Sequence, residues 1–262
     1  MQKSHPAADN ISMPVAIITG AAQGIGRRTA ELLAANGLSL ALLDLKPCPV
    51  PTNAEVLTFT GDLTDESFIA EAIAAIHQRF GRIDTLVNNA GISFIAPAEQ
   101  VSAADFRRVL EVNLVAPFLL ARAVGEVMLR QKQGSIINIA SIAGLTGIAD
   151  RSAYNASKHG LIGLTRTLAA EWGARGVRVN AVCPGWVKTE MDHVDQASSA
   201  YTDADIIDRV PMARFASPDD IANAVHFLAD PSRSGFINGH TLAVDGGWTA
   251  DGSWQSLRLS HR

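Results

Sequence analysis

The architecture of this chain depends on one glycine-rich turn, Thr19-Gly20-Ala21-Ala22-Gln23-Gly24-Ile25-Gly26, which joins an apolar run to an amphipathic run. Glycines in such a turn let the chain turn tightly, let backbone N–H groups approach a phosphate, and let a helix pack closely on a strand. The spacing Gly-x-x-x-Gly-x-Gly departs from the commoner Gly-x-Gly-x-x-Gly fingerprint. Taken alone, the turn is either a phosphate-binding loop or a turn without a ligand.

Outward from this turn, short apolar runs alternate with longer amphipathic stretches as far as residue 244. We predict strands at residues 15–19, 39–44, 56–60, 85–88, 135–139, 178–182 and 241–244. Their nearly continuous apolar character is typical of strands that are buried on both faces. The alternation therefore predicts an α/β fold in which helices cover both faces of a parallel sheet.

Two segments near the C-terminal end stand out from this alternation. The stretch Ser217-Pro218-Asp219-Asp220 is typical of a helix start, with an N-cap serine, a proline at the first helical position and acids near the positive end of the helix. Residues 192–208 have weak periodicity and many small and acidic side chains, which predicts a mobile lid.

Composition and charge narrow the class of protein. The 262 residues are 47% hydrophobic and 18% charged, which favours one compact globular domain spanning residues 1–262. The net charge of -4 and the scattered basic residues argue against nucleic acid as a partner. The polar segment 1–13 lacks the apolar core of a signal peptide, and no later run is expected to cross a bilayer. We therefore expect a cytoplasmic protein without a membrane partner.

The cysteines and histidines give no framework for a disulfide or a metal site. Cys48 lies between prolines and Cys183 precedes Pro184, so we predict two reduced thiols. The seven histidines show no spacing that is typical of metal ligands. The chemistry is expected to depend on other residues.

The second predicted strand ends at Asp44, where a dinucleotide-binding fold places an acid that accepts hydrogen bonds from the adenosine ribose. A carboxylate in that place repels a 2′-phosphate. Because no basic residue stands directly beside Asp44, the sequence predicts NAD rather than NADP, although Arg27 and Arg28 could be taken to favour NADP. A residue that merely starts a loop is the other interpretation of Asp44.

Polar and small residues also follow the third and fourth predicted strands, in Gly61-Asp62-Leu63 and Asn88-Asn89-Ala90-Gly91. Each set could be turn chemistry, but the sets stand at the carboxyl ends of successive strands, where open α/β sheets bind ligands. The predicted cofactor-binding residues of this edge are Gly20, Gln23, Gly24, Ile25, Gly26, Asp44, Asp62, Leu63, Asn89, Ala90 and Gly91.

Tyr154 and Lys158 are four residues apart at the start of a helix predicted to reach Ala174, so both side chains project from one face. A nearby ammonium favours the phenolate and lowers the pKa of a phenol from about 10 toward the range of general acid/base catalysis. An exposed helix pair without a function is the other interpretation.

Ser141 and Asn113 are the remaining catalytic candidates. Ser141 follows the fifth predicted strand, where its hydroxyl could bond a substrate oxygen or serve only a turn. Asn113 lies inside a long predicted helix, where asparagine has poor propensity and a buried amide needs partners. A structural water, a helix kink or a proton-relay water would each explain it.

The chain resembles the short-chain dehydrogenase/reductase family along essentially its whole length, through the motifs Thr19-Gly20-(x)3-Gly24-Ile25-Gly26, Asn88-Asn89-Ala90-Gly91, Asn113, Ser141, Tyr154-(x)3-Lys158 and Pro184-Gly185. The resemblance implies a Rossmann-like domain with a seven-stranded parallel sheet, an oxidoreductase acting on CH–OH groups with NAD, and a homotetramer. By the same resemblance Ser141 orients the substrate oxygen, Tyr154 exchanges a proton and Lys158 holds the nicotinamide ribose. Asn113 would position a relay water.

The resemblance also places Val187 and Thr189 against the nicotinamide carboxamide. Specificity in such folds lies in the loops, so Ser93, Arg151 and Trp186 are candidates for substrate binding beside the catalytic Ser141 and Tyr154. A guanidinium near the reaction site suits a carboxylate or a polyol, and a surface salt bridge is the other interpretation of Arg151.

The chain continues beyond residue 247 through an extension, residues 248–262, that contains two tryptophans. We predict that this extension packs at a subunit interface and that Arg262 reaches a neighbouring active site. The chain as a whole is similar to bacterial sugar-acid dehydrogenases, including those that oxidise 2-keto-3-deoxy sugar acids such as 2-keto-3-deoxy-L-fuconate. A small acidic or polyhydroxylated substrate is therefore expected.

Two other functions remain open from the sequence. A 3-oxoacyl-[acyl-carrier-protein] reductase is the enzymatic alternative, although that enzyme normally prefers NADPH and Asp44 argues against it. A dinucleotide-binding sensor without turnover is the alternative that is not an enzyme, but such proteins usually lack a member of the catalytic set.

Overall fold

The computed structural model describes residues 13–190, 201–254 and 257–258. Within them, seven parallel strands form one sheet in the order β3-β2-β1-β4-β5-β6-β7. The strands are β1 (Val15–Thr19), β2 (Ser39–Asp44), β3 (Val56–Thr60), β4 (Thr85–Asn88), β5 (Gly134–Ile139), β6 (Val177–Pro184) and β7 (Thr241–Val244). The predicted α/β fold with a seven-stranded parallel sheet is confirmed, and only β5 and β6 extend beyond their predicted ranges.

Helices connect the strands on both faces of the sheet. In the described residues they are α1 (Gly24–Ala35), α2 (Glu66–Phe80), α3 (Ala103–Leu110), α4 (Ala116–Gln131), α5 (Ser152–Trp172), α6 (Asp203–Arg209), α7 (Pro218–Ala229) and α8 (Pro231–Ser234). The predicted start of α7 is confirmed, because Ser217 and Asp220 exchange side-chain and backbone hydrogen bonds in a capping box.

Neighbouring residues of each strand point to opposite faces of the sheet and build two cores. On one face Ile17 and Leu43 pack with α2, α4 and the end of α5. On the other face Ile18 and Leu42 pack with α1 and α7. Both faces of the central strands are therefore covered, as a parallel sheet requires.

The predicted lid at residues 192–208 is only partly within the described residues, and its mobility stays a prediction. Residues 192–200 lie outside them. Asp203–Arg209 forms α6, which Thr202 begins by accepting a hydrogen bond from the Asp205 backbone N–H in a second capping box. A helix of two turns is too short to show clear periodicity, which is why the sequence pattern did not reveal it.

A π-helical turn, Glu111–Val115, joins α3 to α4, so that helical residues run without a break over Ala103–Gln131. By length and composition this 29-residue helix is long and apolar enough to cross a membrane, which corrects the expectation that no run would be. More than half of its most apolar window is buried in the protein, where α4 contributes to the core shared with α2. The helix therefore packs as a core element.

The strand order reverses beside β1, because β2 lies on one side of it and β4 on the other. The connections that leave the carboxyl ends of β1 and β4 therefore run to opposite faces of the sheet and leave a crevice between them. The glycine-rich turn after β1 and the segment after β4 form the two sides of this crevice.

Candidate active site

A cleft of about 410 Å³ lies at this crevice. It is lined by most of the predicted site residues, namely Gly20, Gln23, Gly24, Ile25, Asp44, Asp62, Leu63, Asn89, Ala90, Gly91, Ser141, Arg151, Tyr154, Lys158, Trp186, Val187 and Thr189. Gly26, Ser93 and Asn113 do not line it, and Arg262 lies outside the described residues. The fold thus brings side chains from six strand ends and several loops into one site.

The glycines of the turn have different roles. Gly20 and Gly24 have φ angles of +64° and +54°, a conformation that glycine adopts without strain. A Cβ at Gly26 would overlap the Gly20 carbonyl oxygen. Gly26 therefore lets α1 pack closely against the turn, which is one of the roles expected of these glycines, and its contact with a cofactor stays a prediction.

Asn89 fastens the turn to the end of β4. Its Nδ2 donates to the carbonyl oxygens of Thr19 and Gly20 at 2.9 and 3.1 Å, and its backbone N–H donates to Thr19 Oγ1 at 3.0 Å. Both hydrogens of the amide are used in this way. Thr19 was not predicted as a site residue, although it stands at the start of the quoted motif.

The Asp44 carboxylate stands at the far end of the cleft, where it accepts hydrogen bonds from the backbone N–H groups of Ala22 and Lys46 at 3.0 and 2.9 Å. Lys46 also lines the cleft, and its Nζ donates to Gln23 Oε1 at 3.4 Å. Sequence reasoning missed this lysine because it considered only the immediate neighbours of Asp44. A lysine and the Asp44 carboxylate therefore line the same cleft.

Asp62 lies beside the same end of the cleft. Its Oδ1 accepts hydrogen bonds from the backbone N–H and the hydroxyl of Thr64 at 2.9 and 2.8 Å. These bonds and the nearby Arg108 hold the pKa of the Asp62 carboxyl below its usual range, with the backbone bond as the largest cause. Arg108 lines the cleft and is a second cation that the sequence did not single out.

Lys158 lies at the opposite end of the cleft, and only 4% of it is exposed. Its Nζ donates to the Ile139 carbonyl oxygen at 2.8 Å and lies 5.5 Å from the centroid of the Tyr154 ring. Burial lowers the pKa of Lys158 to about 8, and the nearby Cys183 opposes this shift. The ammonium is thus held one helical turn from the phenol, as the four-residue spacing predicts.

Ser141 brings a hydroxyl from the end of β5 into the cleft that Tyr154 also lines. Its Oγ accepts a hydrogen bond from the Ala143 backbone N–H at 3.1 Å, which uses a lone pair and not the hydroxyl hydrogen. A hydroxyl, a phenol and an ammonium from separate parts of the chain therefore share one cleft. Such a group can bind an oxygen atom and exchange a proton with it.

Asn113 lies in the π-helical turn and is fully buried. Its Oδ1 accepts from the Ile92 backbone N–H at 2.8 Å, and its Nδ2 donates to the Ile92 carbonyl oxygen at 2.9 Å and to Ser157 Oγ at 3.2 Å. The helix irregularity expected as one explanation is present, and the amide also holds the segment that follows β4. No sequence signal indicated this clamp, because Ile92 is 21 positions away.

Arg151 is buried, with only 6% of the residue exposed. It stands at the N-cap of α5, with its guanidinium 5.6 Å from the centroid of the Trp186 ring. Its Nη1 donates to Ser93 Oγ at 3.0 Å. Arg151 and Trp186 line the cleft, whereas Ser93 is placed to orient the guanidinium.

The thiols and acids of the described residues form no metal centre. No group of three or more His, Cys, Asp or Glu side chains in this part of the chain is arranged to hold a metal ion. Cys48 and Cys183 are free thiols, as predicted. Burial raises the pKa of both thiols to about 11, so they are protonated at neutral pH.

Comparison with known proteins defines the class. A family model described as Enoyl-(Acyl carrier protein) reductase matches residues 20–249. D-threitol dehydrogenase of Mycolicibacterium smegmatis is 41% identical over 243 residues, which cover 90% of this chain and 92% of that protein. The chain belongs to the short-chain dehydrogenase/reductase family. It is an oxidoreductase that acts on secondary alcohols or the corresponding ketones, which confirms the prediction of an enzyme.

Solved structures of relatives share the whole fold. The crystal structure of levodione reductase matches with a TM-score of 0.87 and 36% identity, covering 90% of this chain and 98% of that one. A protein of Beutenbergia cavernae, provisionally assigned as an NAD(P)-dependent gluconate 5-dehydrogenase and solved with NADP at low occupancy, matches with a TM-score of 0.81 and 37% identity, covering 92% and 98%. Members of this family bind a nicotinamide dinucleotide.

The described residues fit such a cofactor. The glycine-rich turn presents the N-terminus of α1 to the cleft, which suits a diphosphate. Asp44 stands where the adenosine ribose of a dinucleotide would lie, and Lys158 stands at the other end of the same cleft. Val187 and Thr189 line the cleft on the segment after β6, which suits the nicotinamide end.

Proposed function

We propose that this enzyme oxidises a secondary alcohol of a small acidic or polyhydroxylated compound with NAD, such as the sugar acid 2-keto-3-deoxy-L-fuconate. The observation that carries the proposal is the convergence of Ser141, Tyr154, Lys158 and Arg151 on one cleft. The bound dinucleotide supplies the hydride acceptor. The protein residues bind the alcohol, orient it and remove its hydroxyl proton.

Each catalytic residue has a role that follows from its position. Ser141 hydrogen-bonds the substrate oxygen through a hydroxyl that the end of β5 holds in place. Tyr154 accepts the proton of the alcohol as its general base. The Lys158 ammonium stabilises the phenolate across about one helical turn and holds the cofactor ribose. Asn113 holds the segment after β4 in place through Ile92, and by the family resemblance it positions a relay water.

The acidic character of the substrate is inferred from Arg151. Its guanidinium lines the cleft next to Trp186, at the N-cap of the helix that also carries Tyr154. A planar guanidinium in that place suits a carboxylate or a polyol. The polyol and the sugar acid in the names of two relatives support the same class of compound.

The preference for NAD is inferred from Asp44, whose carboxylate would repel a 2′-phosphate. The positive charge of Lys46 opposes this repulsion, because its ammonium lies close to Gln23 in the same part of the cleft. Initial rates with NAD and NADP at equal concentrations test the preference. A higher rate with NADP would contradict it and would favour the 3-oxoacyl-[acyl-carrier-protein] reductase alternative.

The substrate class is tested with a panel of sugar acids, sugars, polyols and cyclic alcohols, assayed with NAD by the absorbance of the reduced nicotinamide. We expect the highest kcat/KM for an acidic or polyhydroxylated compound. Arg151→Met should raise the KM for an acid by about tenfold or more and leave the KM for an uncharged alcohol nearly unchanged. Equal effects on both would contradict the role of Arg151.

The proton-transfer role of Tyr154 has a separate test. Tyr154→Phe keeps the ring and removes the hydroxyl, so we expect kcat to fall by roughly 10²–10⁴-fold while the Kd for NAD stays within a few-fold. Stopped assays measure the rate, and a fluorescence titration measures the Kd. A variant with undiminished kcat would show that another group transfers the proton.

We further propose that the enzyme is a cytoplasmic homotetramer. The family resemblance and the two free thiols support this assignment. Light scattering of the purified protein measures the mass directly, and a monomeric mass would contradict the proposal.

A further inference from the structure

The described part of the C-terminal extension folds back onto α6 of its own chain. Arg209, the last residue of α6, donates from Nη2 to the Asp251 carbonyl oxygen at 3.0 Å and lies 3.3 Å from Asp251 Oδ2. The same guanidinium lies 4.8 Å from the centroid of the Trp248 ring. One arginine of α6 thus meets both a carboxylate and an aromatic ring of the extension.

A second ion pair also joins the extension to α6, but here the arginine belongs to the extension and the carboxylate to the helix. Arg258 of the extension donates from Nη1 to Asp208 Oδ2 of α6 at 3.0 Å. The side chains are 19% and 27% exposed, so solvent screens the pair less than it screens a surface ion pair. Two neighbouring residues of α6, Asp208 and Arg209, are therefore both bound by the extension. This fixes the rotation of the short helix about its own axis.

Residues at the start of α6 contact the segment that lines the substrate end of the cleft. Tyr201, two residues before α6, packs edge to face on Trp186 with ring centroids 5.0 Å apart. Asp203, the first residue of α6, lies 2.7 Å from Lys188 Nζ. Trp186 in turn stacks with Arg151 and lines the cleft. Continuous contacts therefore join the extension to the two side chains that face the alcohol.

We propose that Arg258 and Asp251 are positioning residues, which hold α6 so that Trp186 and Arg151 keep their orientation toward the alcohol substrate. The adenosine and diphosphate end of the cleft is anchored elsewhere, by the contacts of Asn89 with the glycine-rich turn and of Asp44 with Ala22. Among the cofactor-binding candidates only Val187 and Thr189 adjoin Trp186 in the sequence. The extension therefore controls mainly the affinity for the alcohol and changes the affinity for the cofactor far less. This inference requires only the alcohol-oxidising class of the enzyme and not a sugar acid as its substrate.

The first test needs no substrate. Hydrogen exchange is measured by mass spectrometry on the full-length enzyme with saturating NAD, comparing wild type with Arg258→Met. We expect exchange in peptides covering residues 203–213 and 186–188 to become about three- to tenfold faster, and exchange in α1 and α5 to stay unchanged. Unchanged exchange at residues 203–213 would overturn the proposal.

Arg82→Met is the matched control, because it breaks an ion pair of comparable burial, Arg82 with Asp84 at 2.7 Å, next to the amino end of β4 and away from the cleft. It should leave exchange at residues 203–213 unchanged. If Arg258→Met does not fold, Asp208→Asn removes the same pair with a smaller change of volume. An equal effect of the control would assign the result to general destabilisation and overturn the proposal.

The second test separates positioning from a purely structural role. With the panel compound that wild type oxidises fastest, Arg258→Met should raise the KM for the alcohol several-fold and change both kcat and the Kd for NAD by less than about twofold. The double reversal Asp208→Arg with Arg258→Asp should restore most of the KM. Parallel losses for alcohol and NAD, or no change in KM, would overturn the proposal even if a sugar acid proves to be the substrate.

Discussion

At the scale of single residues, Lys158 is a buried amine of the cleft, and burial disfavours its charged form. Burial lowers the pKa of Lys158 to about 8, whereas lysine in an unfolded chain has a pKa of about 10.4. Below pH 8 both states are protonated, so the folded state bears the full desolvation penalty. Between the two pKa values the unfolded chain binds more protons, so the contribution of Lys158 to the free energy of unfolding rises with pH.

The direction of this pH dependence gives a prediction for the stability of two variants. In a Tyr154→Phe background, which removes the neighbouring phenol, the further change Lys158→Met should stabilise the protein most at pH 7.5. That advantage should shrink by up to roughly 3 kcal/mol as the pH rises to about 10.5. Urea unfolding of both variants at several pH values measures the difference, and a difference that does not depend on pH would contradict the shift.

Sequence identified most cleft residues because each stands at a strand end or in a motif with fixed spacing. It missed Lys46 and Arg108, because no local pattern shows which surface cations the fold turns toward a cleft. It assigned Ser93 to the substrate directly, whereas its hydroxyl accepts a hydrogen bond from Arg151. Such a contact spans 58 positions and depends on how two loops meet.

At the scale of elements, two helical glycines should respond oppositely to the same change. A methyl group added at Gly163 in α5 would meet no atom within 4 Å, so Gly163→Ala should raise the free energy of unfolding by about 0.5–1 kcal/mol through its helix propensity. Gly26→Ala in α1 places the methyl group against the Gly20 carbonyl oxygen and should destabilise by on the order of 1–3 kcal/mol. Urea unfolding without cofactor tests both, and equal signs would contradict the packing of α1.

The strands and the capped helices were predictable because their signals are local. Buried strands give apolar runs, and the N-cap of α7 gives serine, proline and acids in order. The π-helical turn before α4 has no such signal, since its extra residue is favoured by the contacts of Asn113 with Ile92 and not by local propensity. The helix α6 was hidden because two turns are too short to show clear periodicity, and contacts with the extension, distant in sequence, add to its stability.

At the scale of the whole molecule, cofactor binding should appear as a change in thermal stability. A ligand that binds only the folded state at 100 times its Kd adds about 2.7 kcal/mol. For a domain of this size the Tm should rise by roughly 5–10 °C with NAD, and by less with NADP at the same concentration. Thermal unfolding followed by dye fluorescence measures both shifts, and a larger shift with NADP would contradict the preference inferred from Asp44.

The path of the extension could not be read from the sequence. The two tryptophans predicted that this segment would pack, and its packing at a subunit interface stays a prediction. In the described residues, Trp248 and Asp251 contact α6 of the same chain. The contact of Arg262 with a neighbouring active site stays a prediction.

The π-helical turn Glu111–Val115 has a consequence for insertions and deletions in this chain. Each residue of an α-helix advances about 100° around the axis, so one added residue rotates everything after it by that angle. Removing a single residue here would leave one regular α-helix, yet it would turn the apolar stripe of Leu120, Val124 and Met128 away from the sheet. The extra residue of the π-helical turn thus sets the angle between the packing faces before and after it. One continuous helix can therefore pack against two surfaces of different orientation.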